Sequence, residues 1–468
     1  MKHLFALLFF CFASYIYVYA QPPIPYVSPQ YGVRSQSNIK YGTVTNFAGK
    51  SENLSLDLYK PINDNNCKRP LIVFIHGGAF IGGDKADASI VALCKEMTKY
   101  GYVAASINYR LKGHVATNFT PVATCPTAIV SPCLQSLDTA EVYRGIYRGM
   151  QDVKGAIRFL KARAALDSTD ANAVFVSGES AGSILALAAS YINKESERPA
   201  FCGALPDAGT PDADLTSCLP AGYSLTRPDL GSVEGTLNLN GQDASVKGCA
   251  DFFGAVWSDV FDGPNDPALY LYHQTTDVIV DCGSKPGMYS LFTTCLKPLG
   301  CPKLNAAPVI NGSCTIADML KAKGTNAPMV YNDIVSAGAA NCNANPAGHS
   351  TVDVPLRCKN VTGFFAPVIK AAGNMPTNKC TTSDFTLSLK NIQLYPNPTD
   401  GQVAIFFGQS LAHASVQVIN LQGQMLLRLD LDAASDKVML DASALPQGVY
   451  AIEVIGDDAR GVQKLVKY

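Results

Sequence analysis

Three stretches of the chain are almost continuously apolar: Leu71-Ile72-Val73-Phe74-Ile75, residues 102–107 and residues 173–177. A run of this kind fits a strand covered on both faces, as in a parallel sheet. Residues 90–100 and 143–165 lie between these runs and show helical spacing, with Val153, Ile157 and Leu160 on one face. Strands that alternate with helices predict an α/β domain with a mostly parallel central sheet. Ahead of it, Ser55-Leu56-Asp57-Leu58-Tyr59 alternates and predicts paired antiparallel strands within residues 39–59. Residues 21–38, rich in Pro, Ser and Gln, read as a leader into the fold.

After a helical stretch at residues 183–193 the pattern breaks into Pro- and Gly-rich sequence, residues 199–240, which carries Cys202 and Cys218. Long irregular segments in compact domains are usually functional or disordered, so this one reads as a lid. Regular patterning resumes at residues 246–257 and 269–272, and a second irregular insert runs from Cys282 to Cys314. From Lys379 the texture changes to short alternating runs separated by Gly, Asp and Asn, such as residues 403–406, 415–419 and 449–454. That spacing predicts a small all-β sandwich.

A chain of 468 residues is long enough for about two or three folded units. The expected division is a signal peptide at residues 1–20, a catalytic domain at 21–380 with cysteine-bearing lid and insertions, and a β-sandwich at 385–468. The first segment is apolar from Leu4 to Tyr19 and closes on Val18-Tyr19-Ala20, a small residue at the cut. This run is short for a membrane span, and no other segment is apolar enough for one. Cys11 follows the bulky Phe10, which argues against lipid attachment. The 37 Lys and Arg balance 38 Asp and Glu, so no excess positive charge is available for a nucleic acid backbone. Of 15 cysteines, removal of Cys11 with the signal leaves 15 − 1 = 14, an even number that in an exported protein predicts disulfides. Cys67 and Cys94 bracket one strand and one helix, a loop whose closure would contribute about 3.5 kcal/mol. No Cys-x-x-Cys pair occurs and no His sits at ligand spacing from a cysteine, so neither a structural zinc nor any other cofactor is expected.

The chemistry is concentrated in a few motifs. Gly178-Glu179-Ser180-Ala181-Gly182 follows one apolar run directly and precedes a helical one. A serine at such a strand-to-helix turn is exposed at the helix N-terminus, and glycines two residues away on either side relieve the crowding, which is the arrangement of a nucleophile elbow. Upstream, His76-Gly77-Gly78-Ala79-Phe80 follows the strand ending at Ile75. Acyl transfer builds an oxyanion, and rigid backbone N–H donors stabilise it by about 3 to 4 kcal/mol each. Gly77 and Gly78 are the expected donors, with Ala181 as the third.

Six histidines narrow the choice of base. His3 leaves with the signal, His413 lies in the β module, His76 is consumed by the Gly-rich turn, and His273 sits in a strand pattern. His114 lies on a loop and reads as surface or pocket rim. The chain order of nucleophile, acid and histidine then selects His349. Asp277, just past the strand at residues 269–272, is the expected acid, with Asp281 as its rival.

Taken together these motifs resemble the carboxylesterase and lipase branch of the α/β-hydrolases across about residues 40–355. His76-Gly77-Gly78-Ala79-Phe80, Ser106-Ile107-Asn108-Tyr109-Arg110, the Gly178 to Gly182 elbow and residues 273–280 occur in that family's order. The resemblance implies a triad of Ser180, His349 and Asp277, and Cys67 with Cys94 looks like the first disulfide of secreted carboxylesterases. Two features depart from the family: Ala79 replaces the usual third glycine, and the stretch from Asp277 to His349 is longer than is typical. The C-terminal segment, about residues 390–468, resembles the sorting domain of type IX secretion, on Leu394-Tyr395-Pro396-Asn397-Pro398-Thr399-Asp400-Gly401, Leu445-Pro446-Gln447-Gly448-Val449-Tyr450 and the terminal Lys464-Leu465-Val466-Lys467-Tyr468. That resemblance implies export across an outer membrane and secretion machinery as a partner. An esterase acting on small-molecule or polymer-linked esters, including acetyl or feruloyl groups, a peptidase with the same triad, and a non-catalytic binding protein on this scaffold are the competing readings. The last is disfavoured by the presence of both serine and histidine, and the C-terminal module shows no aromatic platform of a carbohydrate-binding sandwich.

Overall fold

The computed structural model describes residues 25–46, 49–62, 64, 66–111, 139–207, 226–295, 308–336, 342, 348–373, 387–388, 392–411, 414–421, 424–431, 435–456 and 459–468. The expected signal peptide, His114 and His413 lie outside the described residues.

Eight strands form the main sheet: β1 Gly32–Thr45, β2 Ser51–Ile62, β3 Arg69–Ile75, β4 Val103–Ile107, β5 Thr169–Glu179, β6 Gly248–Phe252, β7 Ala268–Tyr272 and β8 Val330–Asn332. Their order is β1-β2-β4-β3-β5-β6-β7-β8. The pairs β1/β2 and β2/β4 are antiparallel and the rest parallel, the strand order of the α/β-hydrolase fold. The continuous apolar runs follow from cover on both faces. In β3, Leu71, Val73 and Ile75 join the core on one face while Ile72 and Phe74 join the core on the other.

Helices α2 (Thr139–Ala162), α3 (Ala181–Tyr191) and α4 (Ser313–Lys323) supply the first core, and α1 (Ala88–Lys99) and α5 (Val354–Ala371) the second. On α1, Ile90, Leu93, Cys94 and Met97 recur at helical spacing, as do Cys358, Val361, Phe365 and Ile369 on α5. Helices α4 and α5 have no counterpart in the sequence pattern. In α5 the proline in the first turn is tolerated because its N–H would have no partner in the helix, and Pro367 near the end is exposed, with the helix continuing past it.

Two further expectations change. The leader at residues 21–38 already contains the start of β1, because an edge strand with one solvated face carries the polar residues that a linker would. Of the expected lid, the described residues 226–240 form a strap along α2. Arg144 binds the carbonyl of Pro228, Tyr147 that of Gly231, Gln151 those of Leu230 and Ser232, and Lys154 and Arg158 pair with Glu234. These side chains recur every three or four residues, so one face of the helix holds the whole segment.

The disulfide expectation is corrected in part. Cys282–Cys314 and Cys295–Cys342 are bridged, and Cys67 is disulfide-bonded, but not to Cys94. Cys94, Cys202, Cys249 and Cys358 are buried free thiols. Cys94 sits on the core face of α1 and fills space as a small apolar residue, a role that cysteine parity cannot reveal.

The C-terminal β region comprises two sheets, one of Gln393–Tyr395, Gln402–Leu411 and Ser435–Asp441, the other of Leu387–Ser388, Ala414–Ile419, Met425–Leu431, Gly448–Gly456 and Ala459–Lys467. Val403, Ile405 and Phe407 of the first share a core with Val416, Val418, Ile452, Val454 and Leu465 of the second, which makes this region a sandwich.

Candidate active site

Ser180 stands between β5 and α3 with φ +58° and ψ −122°, a left-handed backbone that a non-glycine residue adopts only where its surroundings enforce it. Both flanking glycines are required sterically. A Cβ on Gly178 would collide with the backbone of Gly182, and one on Gly182 would collide with the carbonyls of Ile75 and His76. The turn is closed by N–H groups of Ser183 and Ile184 donating to the Ser180 carbonyl and by the Ser180 N–H donating to Phe252.

The turn after β3 lies beside it. A Cβ on Gly77 would come within 3.4 Å of the Ser180 Cβ, and Gly78 takes φ +106° with no room for a side chain. The N–H groups of Gly77, Gly78 and Ala181 donate to none of the described residues. His76 braces this turn: Nδ1 donates to the Gly77 carbonyl at 2.8 Å and the ring stacks on Tyr109 with centroids 4.5 Å apart. Burial lowers the His76 pKa, which keeps this imidazole neutral.

His349 arrives from the loop before α5. Its Nδ1 lies 2.7 Å from Asp277 Oδ2 and its Nε2 2.8 Å from Ser180 Oγ. A carboxylate only accepts, so Nδ1 carries the proton and the Nε2 lone pair faces the Ser180 hydroxyl. Asp277 Oδ1 accepts from the N–H groups of Ile279 and Val280 at 2.8 and 3.1 Å. Burial alone would raise the Asp277 carboxyl, but the N–H groups of His273 and His349 that face it hold it below its ordinary value. The rival Asp281 is engaged elsewhere, with Lys285 at 2.9 Å and Ser290 at 2.7 Å. Thus Ser180, His349 and Asp277 form one hydrogen-bonded chain, with Gly77 packed beside the Ser180 Cβ and Ala181 next to Ser180 in sequence.

Several residues that hold this geometry were not singled out by motif. Gln274 Nε2 donates to the Ser350 carbonyl at 2.9 Å, Tyr272 Oη donates to the same carbonyl at 3.3 Å, and the Val352 N–H donates to Tyr272 Oη at 3.2 Å. Thr351 Oγ1 donates to Glu179 beside Ser180, and the Phe253 ring packs 4.7 Å from the His349 ring. Gly348 takes φ +88°, and a Cβ there would lie 2.6 Å from the Asp277 N. The bare glycine in the short run Gly348-His349 was the available signal for this close approach.

Comparison with known proteins gives two family matches. Residues 56–129 match the family described as BD-FAE, and residues 393–468 match the family described as a secretion system C-terminal sorting domain. Each family match covers a short part of the chain, which is similar to an esterase family in its first third and to a secretion sorting family at its C-terminal end. No curated protein matches. Among solved structures, similarity extends to a truncated carbohydrate esterase from gut microbiota, at 15% identity and TM-score 0.41 over 74% of this chain and 99% of that one. It extends also to esterase 2 of Thermogutta terrifontis, at 16% identity and TM-score 0.38 over 75% of this chain and 95% of that one. A bifunctional GH43-CE protein of Bacteroides eggerthii gives 16% identity and TM-score 0.40 over 71% of this chain and 35% of that one. All three TM-scores are low, so the fold assignment rests on the strand order and the elbow.

Proposed function

We propose that the chain is a secreted serine hydrolase that cleaves carboxylic esters. Ser180 Oγ attacks the ester carbonyl while His349 Nε2 takes its proton, and Asp277 stabilises the imidazolium that forms. The N–H groups of Gly77, Gly78 and Ala181 receive the developing oxyanion. His349 then protonates the departing alkoxide, and a water activated by the same nitrogen hydrolyses the acyl-enzyme. The observation that carries this reading is the unbroken chain from Asp277 through His349 to Ser180, with three N–H donors free of partners among the described residues.

The low Asp277 pKa gives the pH dependence its sign. This carboxylate keeps its charge to lower pH than a free one, so an acid-side loss of turnover reports the base that accepts from Ser180 rather than Asp277. A panel of nitrophenyl esters, acetylated xylan, feruloyl esters and peptide amides tests the reaction class. Ester turnover together with Ser180 labelling by a fluorophosphonate supports the reading, and cleavage of peptide amides without ester turnover contradicts it.

The sorting module implies that the enzyme works at the cell surface or outside the cell, with the type IX machinery as its export partner and an N-terminal signal for the first membrane. Among the described residues no helix is long and apolar enough to cross a membrane.

A further inference from the structure

A second polar cluster lies behind Asp277. It comprises Asp251 in β6, Ser183 in the first turn of α3, Ser313 at the start of α4 and His273 just after β7, all buried. Asp251 Oδ1 accepts from Ser183 Oγ at 2.5 Å and from the Gly254 N–H at 2.8 Å. Asp251 Oδ2 lies 2.6 Å from Ser313 Oγ, which in turn lies 2.7 Å from His273 Nδ1. The other ring nitrogen, His273 Nε2, lies 2.8 Å from the Val280 carbonyl and 3.2 Å from Asp277 Oδ2, the latter a close electrostatic contact rather than an aligned hydrogen bond.

Counting protons along this chain fixes the tautomer. The Val280 carbonyl and ionised Asp277 only accept, so Nε2 carries a hydrogen. Ser313 has one hydroxyl proton and two polar neighbours, so one further proton resides on Asp251 or on His273 Nδ1. Burial raises the Asp251 pKa against the pull of its hydrogen-bond donors, and with either placement of that proton Nε2 of His273 keeps its hydrogen. Among the described residues the titratable groups around the cluster are Cys249 from β6 and Tyr191 from α3, both beside Asp251, Asp277 from the loop after β7 and, through Asp277, His349 from the loop before α5.

We propose that His273 is a positioning residue: held in its Nε2–H form by Asp251 through Ser313, it clamps the turn at Val280 and so sets Asp277 toward His349. The inference rests on the triad reading above. The Val280 N–H donates to Asp277 Oδ1, so fixing the Val280 carbonyl fixes the peptide that bears part of the carboxylate's support. The Nε2–H also directs its positive end at Oδ2. With that N–H removed, more of the carboxylate charge faces His349 and favours its protonated form, which moves the acid limb of activity to higher pH.

Steady-state kinetics on the full chain across pH, with His273→Leu, His273→Gln and Ser313→Ala, provide the test, alongside fluorophosphonate labelling of the unaltered protein. His273→Leu is expected to lower kcat about 10- to 100-fold with KM nearly unchanged, as for other partners that orient a catalytic ligand. The acid limb of kcat/KM moves upward in pH, and His273→Gln, which keeps an N–H at similar reach, recovers most of both. Ser313→Ala, which leaves His273 in place and suits the case in which His273→Leu does not fold, is expected to give the same limb shift at smaller amplitude. An unmoved limb in Ser313→Ala, or Gln no better than Leu, overturns the inference while labelled Ser180 leaves the triad reading standing. An unlabelled Ser180 in the unaltered protein overturns the triad reading itself, and this inference with it.

Discussion

Ser180 and the turn after β3 are held by backbone geometry, whereas His349 and its loop are held by side chains from two other stretches, residues 272–277 and Glu179. On the serine side, Gly77, Gly78, Gly178 and Gly182 occupy places where a Cβ would meet main-chain atoms at or inside contact distance, and the turn is closed by backbone hydrogen bonds. On the histidine side, Gln274, Tyr272, Glu179 and Asp277 bond the loop 349–352 from outside. Backbone constraints of the first kind compress into a motif of five residues. Side-chain constraints of the second kind are scattered along the chain and leave no local signature.

The largest test of this contrast removes the reacting atoms. Ser180→Ala and His349→Ala are each expected to lower kcat by about 10⁴- to 10⁶-fold, because members of such a unit fail together. Thermal denaturation should barely change, and active-site titration with a fluorophosphonate should give no labelled Ser180 in the first variant. Next comes the acid. Asp277→Asn should lower kcat by about 10⁴-fold by stabilising the wrong His349 tautomer, while Asp281→Asn, whose partners are Lys285 and Ser290, leaves kcat within a few-fold. Equal losses in the two would show that the histidine side is not organised as described.

Gly182→Ala and Gln274→Ala then separate the two kinds of support. The alanine methyl at 182 has only the carbonyls of Ile75 and His76 to displace, so a stability loss of about 3 kcal/mol is expected in urea unfolding. Gln274→Ala removes a donor to Ser350 and is expected to cost about 1 kcal/mol in stability. Its kcat should fall about 10-fold as the His349 loop loosens. A catalytic defect without a stability defect in Gly182→Ala would reverse the comparison.

The smallest expected effect comes from the β-sandwich. It has its own core and supplies none of the residues in either half of the site, so residues 21–384 alone should keep the ester-cleaving rate within a factor of about two. In the native cell the same truncation, with its signal restored, should leave the enzyme in the periplasm, which cell fractionation reads directly.

Much of the fold was legible because it depends on local constraints. A strand buried on both faces must be apolar throughout, as residues 71–75 are, and an elbow must carry glycine where Gly178 and Gly182 stand. Asp277, which lies 2.7 Å from His349 Nδ1, follows β7 by a short turn that the pattern also shows. Tertiary structure alone decided which cysteines pair. Cys94 has a sequence position suited to a disulfide with Cys67, but helix α1 turns it into the core against α5. It likewise decided that α5 continues through Pro367, that residues 226–240 lie along α2, and that Asp251, Ser313 and His273 meet behind Asp277. The physical reason is range: steric and periodic rules act over a few residues and are written in the local sequence, whereas a hydrogen bond between residues 62 positions apart, as from Ser313 to Asp251, exists only once the sheet has brought its strand ends together.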